Sequence, residues 1–190
     1  MSEPLPTAVP PAAIPYVYPL DALYARAGLP LPQIDKITPE EMPEPYRTLL
    51  VHNNDMTPTL ERFHGKSIHL KILHREQRGD NYFRQVALVL NGSEKPVEFG
   101  ANKVSLLLFP PKARQLILEE RLPLGTILKD CGIGHCTVAK AYFQAVADQL
   151  ISSVLGVNSG ATLYGRKATI SDSQKRPLSE VVEILPLANL

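Results

Sequence analysis

Proline is spread unevenly along this chain of 190 residues, and that unevenness limits where regular structure can begin. Residues 1–45 hold 11 of the 18 prolines and the other 145 residues hold seven. Each proline locks φ and removes a backbone donor, so Pro4, Pro6, Pro10, Pro11, Pro15 and Pro19 cannot share a continuous helix or central strand. The chain therefore reads as a proline-rich arm over 1–45 and a domain over 46–190. Residues 1–19 are expected to be an extended, solvated tail, with a polyproline II ligand as the weaker alternative. Residues 21–28 allow one short helix. Thr38-Pro39-Glu40-Glu41 has the cap, the first-turn proline and the back-reaching glutamate of a helix start.

From residue 46 the pattern changes. Tyr46 to Val51 reads as a short apolar helix, and a second runs from Thr57-Pro58 to a stop at Gly65. Three strand-like runs follow at 66–76, 82–91 and 96–108, the last two joined by the hairpin signal Asn91-Gly92. Short helices are expected over 112–121 and 124–129. Val138, Ala141, Tyr142 and Ala145 recur at helical spacing and predict a long helix over 137–155. Two closing strands, 161–170 and 178–185, flank a polar turn. Strands linked by short turns pair antiparallel, so the expected class is α+β: one antiparallel β-sheet with helices on one face.

Charge narrows the function. Twenty Lys and Arg against 19 Asp and Glu leave +1, with no cationic excess to neutralise nucleic-acid phosphates or a membrane surface. No apolar run approaches the roughly 18 residues of a membrane helix, and the start lacks the pattern of a secretory signal. Cys131 and Cys136 cannot form a disulfide framework, which points to a reduced, cytoplasmic protein. The expected partner is a small molecule, with no nucleic acid and no membrane.

Cys131-Gly132-Ile133-Gly134-His135-Cys136 invites a zinc reading, but a closed site needs four ligands and no second cysteine pair exists. No metal is expected, and the segment reads as a turn between helices with two buried thiols. His69 and His74 lie five apart on one strand and face opposite ways unless a bulge intervenes. No Gly-x-Ser-x-Gly signature supports serine–histidine catalysis. The more informative residues are charges inside apolar strands. Arg84 opens the run to Leu90, and Glu183 interrupts Val181 to Leu185; each is either solvated or specifically paired. Met56 and Leu124 stand at helix starts, where free N–H groups favour an anion.

In order and spacing these segments resemble the chorismate lyase family. The matching pieces are Asp55-Met56-Thr57 with Leu60, Phe63 and Gly65, then Arg84 entering the strand that ends at Asn91-Gly92. Pro123-Leu124-Gly125, Leu163 to Lys167 and Pro177-Leu178 through Glu183 to Pro186 follow. The resemblance implies an antiparallel sheet with the ligand buried beneath two helical flaps. It also implies elimination of pyruvate from chorismate to give 4-hydroxybenzoate, without a cofactor. Arg84 would bind a carboxylate, the amides of Met56 and Leu124 would hold it from the other side, and Glu183 would move the proton. An ungapped count from Pro177 puts Val182 at the glutamate position, so Glu180 stays open beside the preferred Glu183. Sensor domains of transcription regulators share the fold. Two alternatives therefore stand: a non-catalytic binder of aromatic carboxylates, and a lyase on a related enolpyruvyl substrate.

Overall fold

The computed structural model describes residues 15–186. Its strands are β1 (Ile34–Ile37), β2 (Ile68–Arg78), β3 (Asn81–Leu90), β4 (Pro96–Ser105), β5 (His135–Val146), β6 (Thr162–Asp172) and β7 (Pro177–Leu185). The helices are α1 (Leu20–Arg26), α2 (Tyr46–Leu50), α3 (Met56–His64), α4 (Pro111–Glu119), α5 (Leu124–Asp130) and α6 (Gln149–Leu155). All seven strands form one antiparallel sheet in the order β1-β5-β6-β7-β4-β3-β2. Two meanders, β2-β3-β4 and β5-β6-β7, meet where β4 pairs with β7, from Phe99 opposite Ile184 to Val104 opposite Ser179.

Local chemistry sets the turns. Gly92, at φ 82°, supplies the left-handed residue of the hairpin after Leu90, which closes through Leu90 N–H to the Lys95 carbonyl at 2.9 Å. The Asp172 carboxylate organises the β6–β7 turn by accepting from the N–H groups of Gln174 and Arg176, both at 2.9 Å.

Side chains alternate across the sheet, and both faces are covered. Phe83, Phe99, Ala101, Val182 and Ile184 point to one side and pack with Leu20, Leu23 and Tyr24 of α1 and Ile151 and Leu155 of α6. Val86, Leu88 and Leu185 point to the other, under α2 and α3. Val104, Ile170 and Val181 continue that second face under α4 and α5. The expectation of helices on one face thus holds for α2 to α5, whereas α1 and α6 lie opposite. Among the described residues no helix is long and apolar enough to cross a membrane.

Three sequence expectations are corrected. The segment 137–155 is not one helix: β5 ends at Val146, and Asp148 caps the short α6 through Ile151 N–H at 2.8 Å. The arm does not stay outside the fold. Val17 and Leu20 are fully buried, Met42 is too, and β1 adds Ile34–Ile37 to the sheet edge beside β5. Prolines delimit these pieces without preventing them from packing, because each piece is short. The reading of residues 1–14 as a tail lies outside the described residues. At Thr38 the Glu41 carboxylate does accept the Thr38 N–H, at 2.7 Å, but only a turn forms before Pro43 and Pro45.

Candidate functional site

The sheet face beneath α2 to α5 carries charge in successive cross-strand rungs. Arg84 stands opposite Asn102, and Asn102 opposite Val181. One rung on, Val86 faces Gly100, Gly100 faces Glu183, and Glu183 faces Arg166. One further, Glu98 stands opposite Leu88. The first turns of α3 and α5 lie over these rungs and enclose a cavity of about 50 Å³. Arg84, Glu183, Met56 and Leu124, the four residues singled out from the sequence, all line this cavity. Glu180 does not; it accepts from Lys167 and Thr169 on the opposite face.

Arg84 is 1 % exposed. Its Nε donates to Asn102 Oδ1 at 3.3 Å, and its Nη1 has no partner among the described residues. Burial lowers its proton affinity, with Tyr82 and Glu120 opposing from a distance. No carboxylate pairs with it among the described residues.

Glu183 is tied down. Arg166 Nε donates to Glu183 Oε2 at 2.5 Å, Nη1 to the His52 carbonyl at 2.8 Å, and Nη2 to the Asn54 carbonyl at 2.9 Å. This fully buried guanidinium fastens the chain between α2 and α3 to the sheet centre. His52 Nδ1 accepts from Asn54 N–H and from Arg166 Nη1, so its proton sits on Nε2, facing the Leu49 carbonyl at 2.7 Å. Burial first, and Arg166 second, keep His52 neutral by lowering its pKa.

Asp55 precedes α3 as its N-cap residue, yet its side chain does not cap the helix. One oxygen accepts from Thr137 Oγ1 at 2.5 Å, and the other lies 2.7 Å from His135 Nε2. His135 Nδ1 lies 2.8 Å from the Ile133 carbonyl. Burial pulls the His135 pKa down, but the Ile133 carbonyl and Asp55 outweigh it and the net direction is upward. Diverting Asp55 leaves the first-turn N–H groups of α3 without a side-chain cap where they meet the cavity.

Several members of this constellation are not among the sequence candidates. Arg166 lies within the segment that carried the family resemblance. Glu98, between Val97 and Phe99, carries the same signal as Glu183, a charge in an apolar strand. The cysteine segment connects α5 to β5 rather than two helices, and its thiols are not buried: Cys131 is half-buried and Cys136 exposed. A bulge between Ile72 and His74 brings His69 and His74 to one face, His69 opposite Val89 and His74 opposite Gln85.

No family model matches the sequence, and no curated protein does. Solved structures do. PhnF from Mycobacterium smegmatis superposes with a TM-score of 0.57 at 12% identity, covering 74% of this chain and 67% of that one. The effector domain of PhnF gives 0.54 at 11% identity, covering 71% and 90%. The ligand-binding domain of a Bordetella bronchiseptica protein assigned to the GntR family of transcriptional regulators gives 0.50 at 16% identity, covering 64% and 86%. At these identities the likeness concerns the fold: an antiparallel α+β domain of the chorismate lyase-like type.

Proposed function

We propose that this chain binds a small carboxylate, with the anion seated on Arg84 and on the amides of Met56 and Leu124. The observation that supports this is the guanidinium of Arg84, buried, without an acidic partner and with Nη1 unsatisfied. Burying an uncompensated charge costs several kcal/mol, and an incoming carboxylate would remove that cost. The open first turn of α3 supplies donors of matching polarity. Ligand binding without turnover is also what the effector and ligand-binding domains among the structural neighbours suggest.

Elimination of pyruvate from chorismate is the second reading. Glu183, the residue the family resemblance gives the proton-moving role, lines the same cavity as Arg84, and this favours it. The ion pair with Arg166 weighs against it, because one Glu183 oxygen is already committed.

Calorimetry with 4-hydroxybenzoate tests the first reading. Arg84→Lys keeps the charge but loses the planar pair of donors, so affinity should fall between about tenfold and a hundredfold. Unchanged affinity would remove Arg84 from the site. Incubating purified protein with chorismate and following pyruvate tests the second: release abolished by Glu183→Gln establishes a lyase, and binding without release establishes a sensor or carrier.

A further inference from the structure

Two buried polar atoms around the cavity have no partner among the described residues, Arg84 Nη1 and Glu98 Oε2. They belong to different rungs. Arg84 and the Leu88 that faces Glu98 are four residues apart on β3, roughly 13 Å along the strand. Glu98 sits diagonally from Glu183 across the β4–β7 pair, because Gly100 is the residue directly opposite Glu183. Gly100 has no side chain, and the Glu98 carboxyl uses the space: its Oε1 lies 3.1 Å from where a Cβ on Gly100 would stand.

Two carboxyl groups thus share the neighbourhood of one guanidinium, Arg166. Its Nε is committed to Glu183, and its Nη atoms to the carbonyls of His52 and Asn54. The charged groups that act on Glu98 are Glu183 from β7 and Arg166 from β6; Arg84 on β3 is two rungs off. Burial first, then the Glu183 carboxylate, raise the Glu98 pKa well above the ordinary carboxyl range, with Arg166 opposing weakly.

We propose that Glu98 is the second anchor of the pocket, an acid-form hydrogen-bond donor to a neutral oxygen at the end of the ligand remote from its carboxylate. Beside it, Glu183 is an acceptor. A donor and an acceptor side by side match a hydroxyl, which accepts one hydrogen bond and donates another. The ionised Glu183 of that pair repels a second carboxylate. The ligand class is a monocarboxylate bearing a distal hydroxyl, preferred over an unsubstituted monocarboxylate and over a dicarboxylate. This inference rests on the carboxylate reading of Arg84.

Calorimetry with benzoate, 4-hydroxybenzoate and terephthalate on wild type, Glu98→Gln and Glu98→Leu tests it. Wild type should prefer 4-hydroxybenzoate over benzoate by about tenfold and bind terephthalate no better than benzoate. Glu98→Gln retains an N–H donor and should retain the preference, whereas Glu98→Leu should bring the first two ligands within about twofold. Infrared spectroscopy of the unliganded protein gives a readout that survives a poorly folding Leu variant: a carboxylic-acid carbonyl band at neutral pH, absent in Glu98→Gln. Absence of that band in wild type overturns the inference. Equal binding of benzoate and 4-hydroxybenzoate by wild type overturns this inference alone. Failure of all three ligands to bind overturns the carboxylate reading together with it.

Discussion

Arg166 donates through all three of its nitrogens, and each acceptor it satisfies lies on a different part of the chain from its own strand. Arg166→Ala would leave the Glu183 carboxylate buried without its counter-charge and two carbonyls without their donor. Removing one partner of a buried pair typically costs about 3–5 kcal/mol, and urea denaturation should show a loss of that size. Glu183→Gln in the Arg166→Ala background should recover part of it, since the stranded charge is then gone. Glu98 and Glu183 show why the sequence points to some site residues and not others. Each follows a valine and precedes an aromatic or branched residue, a pattern that ordinarily marks a solvated strand face. The α2–α5 layer covers that face, so the same pattern gives buried charge. Glu183 is marked twice, as a charge inside Val181 to Leu185 and by a family pattern, whereas Glu98 has only its apolar neighbours to mark it. Sequence alone also left open whether Glu180 or Glu183 faces the cavity, and the pairing of Arg166 with Glu183 settles that register.

At the scale of elements, β5 shows how a strand can imitate a helix. Its pairing with β6 slips between Ala139 and Ala141, so Lys140 is the extra residue of a bulge. That insertion puts Val138 and Ala141, three residues apart, on one face with Ala145, while Tyr142 points to the other, so the helix-like spacing is made of residues from both faces. The strands without ambiguity, β3 and β7, were legible because no bulge interrupts their inward-facing site residues. β1 was invisible for a different reason: four residues following a proline pair make a strand only because the edge of β5 is there to receive them. α1, by contrast, was foreseen as a helix but not as core. Leu20 is fully buried between α1 and the sheet, so Leu20→Ala should cost about 3 kcal/mol in chemical denaturation. A solvated arm would lose almost nothing. The Asp55–His135 contact, which joins the start of α3 to the start of β5, adds a pH dependence. A histidine whose folded pKa is raised contributes stability that is fully present below its ordinary value of 6.5 and disappears as pH rises through the folded value. His52 and His64, whose pKa values burial lowers, act with the opposite sign and are lost as pH falls. The His135 contribution is therefore the difference between wild type and Asp55→Asn. Melting temperatures taken between about pH 5 and pH 8 should show the two proteins converging at the alkaline end.

On the scale of the whole molecule, the sheet is two local meanders joined along a single non-local pairing, β4 with β7. Arg84, Glu98 and Asn102 belong to the first meander, Arg166 and Glu183 to the second, so the cavity exists only while that pairing is closed. Amides from Phe99 to Val104 should accordingly be among the slowest to exchange with deuterium, and the exposed end of β2 at Gln77 and Arg78 among the fastest. A ligand at a hundred times its Kd should slow the Phe99–Val104 amides by about a hundredfold and leave Gln77 and Arg78 unchanged. A ligand held by one meander alone would not produce that contrast. A molecule gripped by both halves behaves as the shared component of a clasp: its concentration sets how firmly the halves are shut. Cut in the segment between β4 and β5, the chain would become a two-part assembly whose cohesion rises with the logarithm of ligand concentration, as that of a dimer rises with the concentration of its own subunits.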